Sequence, residues 1–429
     1  MNKLSVFLLY SLAAGTAMGG EVTFHRDVLP ILQKNCQGCH RAGEAAPMAF
    51  GSYKETRPWA KAIKESVLSQ RMPPWYADPH VGKFQNARVL SVAERETLVR
   101  WADTGAAAGE EKDAPPAMRW AEGWSIGQPD LVVEMPEPYA VPASGTVEYT
   151  YFIVPTGFKE DTWVRAAEAR PGQRAVVHHI IAFVREPGSQ WMREYPVGKG
   201  FVPSKSKKNR GESGGGEFLT GYAPGAVPEI LNDGQAKLIK AGSDIVFQMH
   251  YTANGKEAMD KSRLGLVLAK GPVKQRVLTL AAQDRKFVIP AGAPNHEVSG
   301  GMTLHAASEL TALFPHMHVR GKAFEIRAVY PTGESEVLLK VPRYDFNWQL
   351  AYRLETPKKL PKGTRIEATG WFDNSVNNKW NPDATQDVRW GDQSWEEMMI
   401  GFFNVAIDAG SNPRELMEAP KKAASATGE

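Results

Sequence analysis

Residues 243–252 read SDIVFQMHYT, a short run of β-branched and aromatic residues. That composition predicts a strand. LVVEM (131–135), VEYTYFIV (147–154), AVVHHIIAFV (175–184) and RLGLVLA (263–269) share its texture, and turn residues separate them. A second series follows: KFVIP (286–290), LTALFPHMHV (310–319), AFEIRAVY (323–330), SEVLLKV (335–341), WQLAYRLE (348–355), TRIEATGWF (364–372) and MMIGFFNVAI (398–407). Short strands at such spacing predict two antiparallel β-sandwich domains, 128–283 and 284–410, joined near residues 270–290.

The histidines of these strands form a pattern. His178 and His179 are adjacent, His250 stands alone in QMHYT, and His316 and His318 form an H-x-H pair in PHMHVRGK. EEMM follows at 396–399. The order offers three imidazoles, then two imidazoles with a thioether. Imidazole with thioether is a copper preference, because Met sulfur favours Cu(I). On a strand, His316 and His318 share a face and can chelate one ion. His178 and His179 point to opposite faces of a regular strand, so joint ligation requires a strand end, a bulge or a metal at the sheet rim. Singly, each has a plainer reading as a hydrogen-bonded or packing residue. His296 and His305 have no partner at ligand spacing and read as surface or packing residues.

Only two cysteines occur in the 429 residues, Cys36 and Cys39, and they lie in Cys36-Gln37-Gly38-Cys39-His40. C-x-x-C-H reads as covalent c-type heme attachment with His40 as the proximal ligand. A thioredoxin-like dithiol lacks its βαβ context here, and a zinc half-site lacks a second ligand pair. FHRDVLPILQKN (24–35) spaces Val28, Ile31 and Leu32 as on a helix. RMPPW (71–75) supplies Met72 as the distal sulfur ligand, with Met48 in EAAPMAF as its rival. A Met/His pair gives a six-coordinate electron carrier of raised potential. VAERETLVRWADTGA (92–106) is amphipathic, with Leu98 and Trp101 inward. His25 and His80 read as solvent or propionate neighbours.

Residues 1–20 read as a cleaved signal peptide: Lys3, a short apolar run, then Ala17 and Gly19. No later stretch has transmembrane length, so the expectation is an exported, periplasmic protein with no stable membrane insertion. A net charge of +3 asks for neither nucleic acid nor an anionic membrane. Residues 108–127 read as a linker that packs at its aromatic far end, 204–217 as a mobile loop, and 411–429 as a flexible tail.

Residues 21–107 resemble a class I monoheme cytochrome c, a small all-α domain. VVHHIIAF, LIKAGSDIVFQMHYT, FPHMHVRGK and EEMM together resemble the copper type II, ascorbate-dependent monooxygenase family of the peptidylglycine and dopamine hydroxylases. That likeness covers roughly residues 128–408. It implies a multidomain chain in which two jelly-roll-like sandwiches each hold one copper ion across a solvent-filled cleft. His178, His179 and His250 would form the electron-transfer site. His316, His318 and Met398 would form the catalytic, oxygen-binding site, with Met399 as the fallback. The likeness also puts Gln248 in or beside the electron path.

The departures from that family are informative. Phe314 stands where the peptide-amidating members keep a carboxylate-binding arginine, and Phe402 where they keep a substrate-contacting tyrosine. The wall is then aromatic and uncharged, which suits a small, neutral or aromatic C–H donor. Asp373, Asn374 and Asn377 read as loop-ordering residues or as cleft lining.

The resulting expectation is a periplasmic copper-dependent monooxygenase using O2 and a small organic substrate. It would hold two copper ions and one heme c, and an external donor would reduce the heme. The alternatives are a copper/heme oxidase on the same scaffold, a non-catalytic copper–heme electron-transfer protein, and a binding module fused to a cytochrome.

Overall fold

The computed structural model describes residues 20–44, 46–120, 123–203 and 216–419. The expected signal peptide, most of the 204–217 loop and the last ten residues lie outside them. The described chain is mostly β-sheet, in several sheets, with a few short helices. It divides into two compact units. Among the described residues no helix is long and apolar enough to cross a membrane.

The smaller unit comprises residues 20–42, 46–73 and 90–118. A helical turn, Phe24–Val28, runs into the helix Leu29–Asn35. Helices Ala60–Leu68 and Val92–Asp103 follow. Ser91 and Glu94 form a reciprocal capping box on the last of these, which satisfies two donors that a helix start leaves free. Val28, Ile31, Leu32, Leu98 and Trp101 are buried in one core, as their helical spacing predicts. Residues 74–89, inside the stretch 21–107 that the sequence reads as one domain, group with the larger unit instead. There Trp75 and Phe84 pack on Tyr352 at ring-centroid distances of 4.9 and 5.5 Å. Their apolar rings find partners on that sheet.

The larger unit is built on one eight-stranded sheet. Its first half packs against a five-stranded sheet, and its second against a four-stranded one. The five-stranded sheet holds Val177–Arg185 between Asp244–Tyr251 and Glu217–Tyr222. The boundary at 283/284 does not follow the hydrogen bonds. Strand Gln275–Gln283 pairs along its whole length with Ile400–Asp408, whereas its backbone pairing with the first half is two residues long, parallel to Gln235–Ile239. The sheet is therefore continuous through the join, and the turn before Gln275 divides the halves.

Side-chain packing is seen near both ends of this unit. Trp124 lies against the Arg170 and Arg263 guanidiniums and Ile126 is buried, so the linker packs at its far end. Within the expected tail, the described residues Pro413–Met417 form a helix capped by Asn412, with Leu416 buried. An Asn cap followed by Pro at the first turn is a helix start. One leucine then anchors the turn to the core.

Candidate functional site: two histidine sets on one cavity

The adjacent histidines are brought together by a bulge. Val177 pairs with Tyr251 and His179 with His250, so His178 is an extra residue against one step of the partner strand. An inserted residue bends the strand and re-aims its side chain. His178, His179 and His250 thus converge, with ligand atoms all within 4.8 Å of one another. The Nδ1 atoms of His178 and His250 each lie 3.4 Å from that of His179. Metal–imidazole bonds of 2.0–2.1 Å at tetrahedral to trigonal angles give N···N edges of about 3.3–3.6 Å. Both 3.4 Å edges fall in that range, as for nitrogens that share one ion.

Burial keeps these rings neutral. It lowers His178, takes His250 down to about 3, and holds His179 well below the usual imidazole range with help from the neighbouring imidazoles. Neutral imidazole is the form that ligates a metal. Tyr149 packs on two of the rings, 4.8 Å from His250 and 5.4 Å from His179. Gln248, on the same strand as His250, donates to the Tyr151 hydroxyl.

His316 ends the strand Ser308–His316, and His318 lies two residues beyond it, where its carbonyl accepts the Gly321 N–H of the following turn. Their ring centroids are 5.2 Å apart. Met317, between them, faces the core, and its backbone N–H and C=O both bond the Tyr344 hydroxyl. Behind it Gly370 leaves no room for a side chain, since a Cβ there would stand 2.9 Å from the Met317 sulfur. His316 Nδ1 is 2.8 Å from Gln349 Oε1, and His318 Nδ1 is 3.1 Å from the Glu396 carbonyl. Both partners are acceptors, so Nδ1 carries the proton and Nε2 keeps its lone pair.

His318 Nε2 is buried with no hydrogen-bond partner. Burial takes His316 down to about 4, and burial with His316 beside it takes His318 to about 3. A buried, unprotonated and unpartnered nitrogen fits a metal ligand. Met398 lines the same cavity as His316 and His318, whereas Met399 is fully buried in the core.

Four supporting residues were not singled out in the sequence. Glu397 is buried between the two ligand segments and accepts the backbone N–H groups of His318 at 2.8 Å and Arg320 at 2.7 Å. Burial pushes its carboxyl up to about 8, against those two hydrogen bonds. Gln349 orients His316. Tyr344 holds Met317. Phe346 stacks on His178 at 5.1 Å and meets His318 edge-on at 6.0 Å. One benzene ring thus lies against an imidazole from each set, where the family likeness implies solvent. All but Glu397 sit in the loop 342–351; the sequence reads residues 348–351 as the start of a strand, but the strand begins at Tyr352.

A cavity of about 920 Å³ opens on His179, His316, His318 and Met398, and Phe314 and Phe402 are in its wall. Asp373 and Asn374 order a loop rather than line it. Asp373 caps Ser375, and buried Asn374 accepts from Arg320 while donating to the Pro290 and Gln386 carbonyls. The N–H of Asn377 bonds the Ser375 hydroxyl. His296 starts a strand and His305 follows one, both half-buried.

In the smaller unit His40 Nδ1 is 3.3 Å from the Met48 carbonyl, and its ring stacks on Phe50 at 4.4 Å. That leaves Nε2 free to face an iron. Burial lowers His40 and pushes the Cys36 thiol up to about 12, and both cysteines are unpaired. Met48 packs against this core, and Met72 is half-buried beside Pro73. His25 packs on Phe24 and Tyr53, and His80 is exposed.

No protein-family model matches this chain, and no curated protein matches it. Solved structures with some likeness include infectious bursal disease virus, Gx strain, at 9% identity and a TM-score of 0.18, over 67% of this chain and 74% of that one. The VP2 subviral particle of infectious bursal disease virus scores 0.19 at 10% identity, over 69% and 76%. The Macrobrachium rosenbergii nodavirus scores 0.17 at 10% identity, over 70% and 95%. Scores of this size do not amount to a shared fold.

Proposed function

We propose that the chain is an exported copper-dependent monooxygenase that hydroxylates a C–H bond of a small organic substrate with O2, its electrons passing through its own c-type heme. The helical unit is then a cytochrome c domain, and the sheets are two β-sandwiches. The observation that carries this reading is the paired donor geometry: three clustered imidazoles with two Nδ1–Nδ1 edges of 3.4 Å and, on the same cavity, a buried His318 Nε2 with nothing to bond. Copper bound at these sets would supply one-electron redox chemistry and a place for O2.

The residues divide the work. His178, His179 and His250 present nitrogen alone. His316 and His318, with tautomers fixed by Gln349 and the Glu396 carbonyl, present Nε2 beside the Met398 thioether. Phe314 and Phe402 keep water and charge away from that end of the cavity and orient an apolar or aromatic segment there. Cys36 and Cys39 would anchor heme, with His40 and Met72 as its axial ligands. A tethered carrier raises the effective donor concentration without new affinity.

Copper analysis and 18O2 labelling test this together. About two copper ions per chain and one labelled oxygen atom in an organic product are expected. Copper without an oxygenated product would leave an oxidase or an electron-transfer protein, and no copper would sink the reading. Stopped-flow reoxidation of reduced heme under O2, with and without copper, tests the relay, which fails if copper makes no difference.

A further inference from the structure

The cavity that receives the metal ligands has a second end, and its chemistry differs. From His316 a row of aromatic rings leads away: Phe402 at 6.2 Å, then Phe218 at 6.1 Å from Phe402. The Lys237 ammonium lies 5.3 Å from the Phe218 centroid. All four residues line the cavity.

Lys237 is 5% exposed. It donates to the Phe218 and Leu219 carbonyls and the Thr279 hydroxyl, each at 3.0 Å. Its protons are satisfied, but these acceptors are neutral and do not cancel its charge. Arg353, also on the cavity, likewise donates to carbonyls, those of Val227 and Pro228. Among the described residues neither cation meets a carboxylate at ion-pair distance.

Burial lowers both Lys237 and Arg353; one carboxylate on the cavity, Glu229, opposes this at longer range, and its Oε2 accepts from Asn404. Glu217 also acts on Lys237 but is ion-paired to Arg276 at 2.6 Å. Glu148 and Asp392, on the same cavity, are exposed, and Asp392 acts on Tyr149 and Tyr151 beside the three-histidine set. The far end therefore holds two buried or half-buried cations against one carboxylate. An uncompensated buried cation is costly unless something anionic completes it.

We infer that the substrate is amphiphilic: an aromatic or alkyl body lies along Phe218 and Phe402 with its reacting C–H toward His316 and His318, and a carboxylate at the other end is held by Lys237 and Arg353, displacing one of the neutral acceptors of the Lys237 ammonium. This refines the uncharged donor expected from Phe314 and Phe402, which govern only the metal end. The inference rests on the cavity being the substrate site of the proposed monooxygenase. Lys237 is then a specificity residue and takes no part in the redox chemistry.

The test is binding to the metal-free full-length protein, so it does not depend on turnover. Straight-chain ω-phenylalkanoates, from phenylacetate to phenyloctanoate, are titrated calorimetrically beside their primary amides. At the best-fitting length the carboxylate is expected to bind at least about tenfold tighter than its amide, as charge-assisted bonds outweigh neutral ones. Lys237→Met keeps the length and removes the charge, and is expected to abolish most of that preference while still binding the amide. Equal binding of acid and amide by the unaltered protein overturns the inference, as does a preference unchanged in a folded Lys237→Met protein, or no binding across the series. None of those outcomes touches the copper reading, which stands or falls on metal content and labelled product.

Discussion

The Glu397 carboxyl group accepts the His318 backbone N–H at 2.8 Å from the residue next to Met398. One buried side chain thereby ties the H-x-H segment to the segment carrying the proposed thioether ligand. In Glu397→Gln the amide nitrogen cannot accept, so the N–H of His318 or Arg320 loses its partner. A stability loss of about 1–3 kcal/mol is expected. Affinity for Cu(I) at the His316/His318/Met398 set is expected to fall by about 10–100-fold, as for other groups that orient ligands. Chelator competition measures this, with the three-histidine set as internal control. An equal change at both sets would show that Glu397 supports the fold and has no special hold on one site.

Gln349 is the acceptor that keeps the proton of His316 on Nδ1. Gln349→Leu leaves that N–H without a partner and frees the other tautomer. Weaker binding at the His316/His318 set, by about tenfold or more, is expected. Gln349→Glu, which keeps the acceptor, is expected to restore it. Equal loss in both variants would count against a tautomer role.

Phe346 touches one imidazole of each set. Phe346→Ala opens space between them, while Phe346→Leu leaves most of it filled. With Cu(II) loaded, the alanine variant is expected to shift the paramagnetic resonance parameters of both ions together, and the leucine variant far less. A change confined to one signal would show that the ring serves a single site.

The buried imidazoles make the metal-free protein acid-sensitive. An exposed imidazole ordinarily titrates near 6.5, whereas burial takes His316 to about 4 and His250 and His318 to about 3. Between these limits the unfolded chain binds protons that the folded chain refuses, so stability falls as pH drops from about 6.5 toward 4. Glu397 acts in the opposite sense: its folded carboxyl holds a proton up to about 8, so its contribution shrinks as pH rises from 4.5. Comparing unaltered protein with a His250→Gln/His318→Gln variant isolates the imidazoles. Urea titrations between pH 7 and 4 are expected to show a shallower acid loss in the variant. Parallel profiles would refute the assignment.

Much of the site was legible in the sequence because its chemistry is local. Strand texture marked Val177–Arg185 and Asp244–Tyr251, and the same-face rule for alternate strand residues foresaw His316 and His318 together. The requirement that adjacent histidines need a bulge was also legible, and the bulge falls at His178. Cys36 and Cys39 stood out because nothing else in the chain can pair with them.

What the chain by itself determined, then, was which residues carry donor atoms and which way strand and helix periodicity turns them. Tertiary structure alone decided what lies against those atoms. Tyr344 and Phe346 reach the two histidine sets from a loop with no periodic signal, Gln349 from the same loop just before a strand that starts later than the sequence suggests, and Glu397 acts through backbone amides about 80 residues away in sequence. Residues 74–89 and 413–417 took their places from apolar contacts with distant strands. Contacts of that kind depend on which surfaces meet after the sheets have paired, and no local pattern of residues encodes them.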